Sequence, residues 1–203
     1  MKVVELSGGV GGARLGLGIE QIRDVESTIV VNIGDDDDIH GLSVSADLDT
    51  VVYTLAGIEG SQGWGRAGDS FVTNAEMGRL GADNRFQLGD LDLATNILRT
   101  NALRSGTSLS KFTRDLSRKL GIRSSIVPAS DDKVPTLVTT EAAGVLSFQE
   151  YFVLRGHQDR VTTLEYRGAE NASAAPGGLE AIESADVVLI APSNPPLSIW
   201  PIL

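Results

Sequence analysis

The sequence is 203 residues long, 41% hydrophobic and only 5% aromatic, which suits one domain with a real core rather than a disordered chain. Its net charge of −10 and pI of about 4.6 would repel a phosphate backbone, which argues against nucleic acid as a partner. Cysteine is absent, so disulfides and thiolate metal sites are excluded and the default compartment is the cytoplasm. No apolar run approaches the roughly 20 residues of a membrane span.

In chain order, Val3 to Leu6 reads as a short apolar strand, not a signal peptide. Gly8 to Gly12 form its exit loop, and a helix follows with Leu15, Leu17, Ile19 and Ile22 as apolar positions. Ser27 to Asn32 reads as a second buried strand. This strand-loop-helix-strand opening predicts an α/β fold: a doubly wound, mostly parallel, Rossmann-like sheet. Asp47 to Ala56 is expected to be helical, and Gly60 to Ser70 is a glycine-rich loop carrying Trp64. Two amphipathic helices follow, Leu91 to Arg104 and Ser108 to Leu120, the second ended by Gly121. Short β-type runs between Ile126 and Leu154, Thr136 to Thr140 and Val145 to Val153 among them, suggest a hairpin or subsheet. Pro176 to Ser184 reads as a helix and Asp186 to Ile190 as a final buried strand. We therefore expect one domain over 1–203, with a small β/α subdomain inserted at about 58–155. The apolar ending Ile199 to Leu203 lacks the polar tail usual at a fraying terminus, and reads as a truncation.

Two unusual loops fall at carboxyl ends of strands, where ligands of such sheets gather. In Ser7-Gly8-Gly9-Val10-Gly11-Gly12-Ala13-Arg14, glycines let backbone amides approach an anion, and the helix N-terminus adds about half a positive charge. The spacing is neither a dinucleotide fingerprint nor a P-loop. In Asn32 to Gly41 four carboxylates run together. Like charges about 4 Å apart repel by roughly 4 kcal/mol near a protein surface, so such a run stays solvated or recruits a cation. Oxygen ligands of this kind suit Mg²⁺ bridging substrate phosphates. Asp35 and Asp36, nearest the strand, are the candidate metal residues, while Asp37 and Asp38 read as a solvated loop.

Asp47 and Asp49 stand at i and i+2 in a first helical turn and do not share a face. One can cap the helix while the other reaches a substrate or metal; on spacing alone, plain capping suffices. His40, a lone loop histidine, reads as a hydrogen-bonding residue before a base. Gly89-Asp90 reads as a turn and cap. Pro192-Ser193-Asn194-Pro195 is a stiff polar loop, fit either for nucleotide recognition or for a rigid connection.

In order, Leu6 to Arg14, Val31 to Asp36, His40-Gly41, Asp47 to Thr50, Gly63-Trp64-Gly65, Leu88-Gly89-Asp90, Phe148 to Phe152 and Ala191 to Pro195 resemble the successive blocks of the 2-phospho-L-lactate transferase family. The resemblance implies a Mg²⁺-dependent transferase of coenzyme F-420 biosynthesis. Its donor is a guanosine diphosphate ester of lactate or enolpyruvate, its acceptor the 5′-hydroxyl of the deazaflavin Fo, and its leaving group GMP. It further implies that Gly8, Gly9, Val10, Gly11 and Gly12 hold the donor's diphosphate, with Ser193 and Asn194 toward the guanosine. Asp47 would be a metal ligand, with Asp35 or Asp36. Asp49, Gln87 and Asp90 would meet Fo, and Asp47 or Asp49 would receive the hydroxyl's proton. A homodimer is expected. The chain departs from the family in having Leu91 where Arg is usual, in its longer acidic run, and in lacking roughly 100 further residues. The alternative is a non-enzymatic sugar-nucleotide-binding regulator of the related gluconeogenesis-factor family.

Overall fold

The computed structural model describes residues 1–203. Lys2–Ser7 (β1) and Glu26–Val31 (β2) pair in parallel, Leu6 opposite Val30, and Val10–Glu20 (α1) crosses between them. Ser125–Pro128 (here β5) extends the sheet beyond β2, and Val187–Ile190 (β9) lies on the other side of β1. The parallel order is therefore β5-β2-β1-β9. Chain direction across the sheet reverses between β1 and β9, so the crevice at their carboxyl ends is the place for a ligand.

Between β2 and β5 the chain builds a hairpin, Asp37–Ile39 (β3) and Leu42–Val44 (β4), then Ala46–Leu55 (α2), Val72–Arg79 (α3), Asp90–Arg104 (α4) and Leu109–Lys119 (α5). Between β5 and β9 lies an antiparallel sheet of Thr136–Thr140 (β6), Gly144–Ser147 (β7) and Val161–Tyr166 (β8), ordered β7-β6-β8, followed by Gly178–Glu183 (α6). The main sheet is covered on both faces. On one, Ile29, Val31 and Ile126 pack with Ala13, Leu48, Val51, Val52 and Tyr53; on the other, Val4, Leu6 and Val30 meet Ala181 and Ile182 of α6. No helix is long and apolar enough to cross a membrane.

The doubly wound reading holds, with local differences. The helix begins at Val10, so Gly11 and Gly12 sit in its first turn and only Gly8 and Gly9 form the exit loop. Small residues there let α1 lie close on the sheet: a Cβ on Gly12 would stand 1.9 Å from Ser7 Oγ. Half of the acidic run is strand, because His40 and Gly41 both adopt positive φ and close a two-residue hairpin. The β-run expected over Val145–Val153 stops at Ser147. There the Ser147 amide donates to Glu150 Oε2 (2.8 Å) and the Glu150 amide to Ser147 Oγ (3.2 Å), a reciprocal cap that starts a π-helical turn, Glu150–Leu154. The α3 helix has no counterpart among the expected elements. Nor is 58–155 a separable insert: β5, inside that range, belongs to the main sheet, and β8, outside it, pairs with β6. The last strand is not buried either. It pairs only with β1, leaving Val188 and Ile190 44% and 64% exposed.

Candidate active site

Asn32 ends β2 and organises what lies beyond it. Its Nδ2 donates to Asp47 Oδ2 at 2.9 Å, to Asp35 Oδ1 at 3.2 Å and to the Leu197 carbonyl at 3.2 Å, while its Oδ1 accepts from the Gly34 amide at 2.8 Å. Asp35 and Asp47 thus converge on one amide. Burial pushes both carboxyl groups above the usual range, and for Asp35 the neighbouring charge of Asp47 adds to it. The glycine turn completes this corner. Gly9 has no side chain where a Cβ would fall 2.4 Å from Asp47 Oδ1, so the turn and the acid pair adjoin.

Two residues further along α2, Asp49 meets different company. It is ion-paired with Arg99 of α4, itself only 2% exposed. The guanidinium also donates to Asn96 Oδ1 (2.7 Å) and the Ser43 carbonyl (3.1 Å), and lies 5.5 Å above the Phe112 ring centre. Burial pushes Asp49 up to about 6, with Arg99 opposing the shift. Beside it Tyr53 donates its hydroxyl to Asp92 Oδ1 at 2.7 Å, and burial raises Asp92 too.

These groups line a cavity of about 810 Å³. Its floor is Asp35, Asp47, Asp49 and Asp92, and Gly9 and Val10 form one end. The loop Gly60–Asp69 with Trp64 and Arg66 lies across it, and Gln87 and Leu88 stand beyond. An aromatic wall closes it: Phe148 stacks on Phe152 (5.3 Å between ring centres) and Phe152 on His157 (4.8 Å). Five carboxylates face the cavity against two guanidinium groups, Arg66 and Arg85, an imbalance that favours a bound cation.

Of the residues expected at the site, the structure brings together Gly9, Val10, Asp35, Asp47, Asp49 and Gln87. Asp36 does not join them. Its Oδ2 accepts from Ser45 Oγ (2.7 Å), burial pushes it up to about 8, and it is absent from the cavity lining. No group of three or more side chains that could hold a metal ion is assembled; Asp35 and Asp47 are the two carboxylates that share the Asn32 amide. Asp90 also lies elsewhere. It accepts from Ser70 Oγ (2.5 Å) and the amides of Val72 and Thr73 (3.0 Å each), which hold it well below the ordinary range and make it an anchor of α3. Its neighbour at i+2, Asp92, faces the cavity instead; the facing rule applied to Asp47 and Asp49 could have found it. Ser193 packs against the glycine turn, where a Cβ on Gly8 would stand 2.5 Å from its Oγ, and Asn194 accepts from the Leu197 amide. Both are at the crevice beside α1, neither in the cavity. His40 lines a smaller pocket with Asp37, Asp38 and Asp83. Gln149, within the Phe148-to-Phe152 block but given no role from sequence, donates to the Asp35 carbonyl at 2.8 Å and ties the aromatic wall to the acid pair.

The chain is 42% identical to a "2-phospho-L-lactate transferase" of Methanopyrus kandleri and 45% identical to a "Phosphoenolpyruvate transferase" of Streptomyces avermitilis, in each case over the whole chain and 66% of the relative. It thus spans just under two thirds of these proteins. The crystal structure of a UPF0052 family member from Bacillus halodurans superposes with a TM-score of 0.65 at 20% identity, over 100% of this chain and 62% of that one, a likeness of fold. The family model described as "2-phospho-L-lactate transferase CofD" matches residues 3–203, and the chain belongs to that family.

Proposed function

We propose that this chain transfers a 2-phospholactate or phosphoenolpyruvate unit from its guanosine diphosphate ester to the 5′-hydroxyl of Fo, releasing GMP, in coenzyme F-420 biosynthesis. The observation that supports it most is the contact of Gly9 with Asp47 at the mouth of a cavity with an acidic floor and an aromatic wall. Phosphate oxygens fit the amides of the turn and the N-terminus of α1. A flat heteroaromatic ring fits the wall, and a polyol chain fits the carboxylates.

Such a transfer needs in-line positioning and charge neutralisation more than covalent chemistry. The attacking 5′-oxygen forms a bond to the donor's distal phosphorus as the bridging P–O bond breaks and GMP leaves. Asp49, buried beside Arg99 and facing the cavity, orients the hydroxyl and takes its proton. Gln87 contacts the acceptor from the far side. Asp35 and Asp47 fit a divalent cation, being buried, close and served by one shared amide. When bound, Mg²⁺ would neutralise charge on the donor's diphosphate. Ser193 and Asn194 stand beyond the glycine turn, toward the nucleoside.

The test is mass spectrometry of products after incubation of the 203-residue protein with Fo, MgCl₂ and each donor ester. A phosphoester of Fo is expected. Absence of product from both donors, with no change in Fo fluorescence on mixing, would reject the transferase reading.

A further inference from the structure

Arg66 is the one cation facing the cavity that has no carboxylate partner. Arg85, the other guanidinium there, is held by Asp83 through Nε and Nη2, at 2.6 to 3.1 Å. Arg66 forms no ion pair. Its guanidinium lies 5.2 Å from the Tyr53 ring centre, and its buried Nε has no acceptor. A cation–π contact of this kind holds the guanidinium without using its N–H donors, which can fork onto a carboxylate.

The loop that delivers Arg66 is braced. Gly60 donates to the Gly65 carbonyl (3.0 Å) and Ala67 to that of Ile58 (2.9 Å), closing a tight hairpin. At its base Glu59 pairs with Arg14 of α1 at 2.6 Å and accepts from Thr54 of α2. At its tip Gly63 reaches the glycine turn, where a Cβ would meet Val10 Cγ1 at 3.2 Å. Arg66 is thereby set on a rigid arm that spans from the glycine turn to the wall of Tyr53.

We propose that Arg66 anchors the carboxylate of the transferred phospho-acid unit, a specificity contact that rests on the transferase reading above. Both donor alternatives carry a carboxylate beside the phosphoester oxygen. Among Asp35, Asp47, Asp49, Asp69 and Asp92 that group would meet only repulsion. The free edge of Arg66 is where a second negative charge is accepted, and it separates a phospho-acid from a plain phosphate ester. A guanidinium–carboxylate fork is charge-assisted and geometrically selective.

The experiment is calorimetric titration of the 203-residue protein, with MgCl₂ present, using 2-phospho-L-lactate and isopropyl phosphate, which has the same phosphate and no carboxylate. Arg66→Gln should weaken the phospho-acid by about 10- to 100-fold and isopropyl phosphate by less than about twofold. Arg66→Lys, which keeps the charge but not the fork, should fall between. An equal loss for both ligands, or no loss for either, would overturn the assignment and leave Arg66 as a brace for Tyr53. So would a parent protein that binds Fo but not 2-phospho-L-lactate. A parent that binds neither defeats the transferase reading itself.

Discussion

Asp47 and Asp49 share one turn of one helix, one residue type and one cavity, yet they meet opposite surroundings. Asp49 faces a fixed cation, its pair with Arg99 completed within the protein. Asp47 faces a second carboxylate and half-shares one amide hydrogen-bond donor with it, so its corner is short of positive charge. The cause is geometric: side chains at i and i+2 diverge around a helix. One carboxylate has its charge partner within the protein; the other has a second carboxylate beside it and a shared amide donor. Partners, not residue type, assign the roles.

The comparison can be broken at several points, the heaviest first. Arg99→Met should leave Asp49 buried and unpaired beside Asp36, costing about 3–5 kcal/mol in urea unfolding. If the loss is under about 1 kcal/mol, Asp49 is solvated and the contrast is wrong. Asp47→Asn should instead keep the fold and reduce product formation roughly 10²- to 10³-fold, about 3–4 kcal/mol in the barrier, while abolishing any Mg²⁺-dependent rise in Tm. Gly9→Ala sharpens the same point without touching a carboxylate. Its new methyl would press on the Asp47 carboxyl group, so turnover should drop by about 10²-fold.

Glu5 supplies the control, a carboxyl that is just as buried but faces the packed interior under α1. Neither of its oxygens has a partner, and burial pushes it up to about 7. The raised value means the protonated form is favoured by folding. That contribution is complete below about pH 4.5 and is lost as pH rises through about 7. Glu5→Gln should therefore flatten the fall in stability across this window and gain roughly 2–3 kcal/mol at pH 8, read from denaturant midpoints at pH 5 and pH 8. The weakest effect belongs to Asp38, whose pair with Lys133 (2.8 Å) is exposed. Asp38→Asn should alter stability by less than about 0.5 kcal/mol, confirming that membership of the acidic run is not itself a role.

The parallel sheet was legible because β1 and β2 each carry a short apolar stretch, Val3-Val4 with Leu6 and Ile29 to Val31, and glycines follow the first; the two loops at their carboxyl ends both border the cavity. Gly9 and Asp35 could be nominated from that placement; Asp47 came only from the family resemblance, since on spacing alone capping suffices. What could not be read was the partner of each acid. Asp36 is drawn off by Ser45 and Asp90 by the start of α3, contacts made across 9 and about 20 positions of chain. Arg99 lies 50 residues from Asp49 and looked like any arginine on an amphipathic helix. The break of Phe148–Val153 out of β-structure hinged on one serine–glutamate exchange that no periodicity reveals.

Asn32 has the last word on this corner of the molecule. A carboxamide has two hydrogens to give, and three oxygens (from Asp35, Asp47 and Leu197) wait within 3.2 Å. The tally closes only when one claimant is satisfied from elsewhere. A cation held by the two aspartates would relieve that competition and free one Asn32 hydrogen for the Leu197 carbonyl, in the Pro195–Ile199 turn.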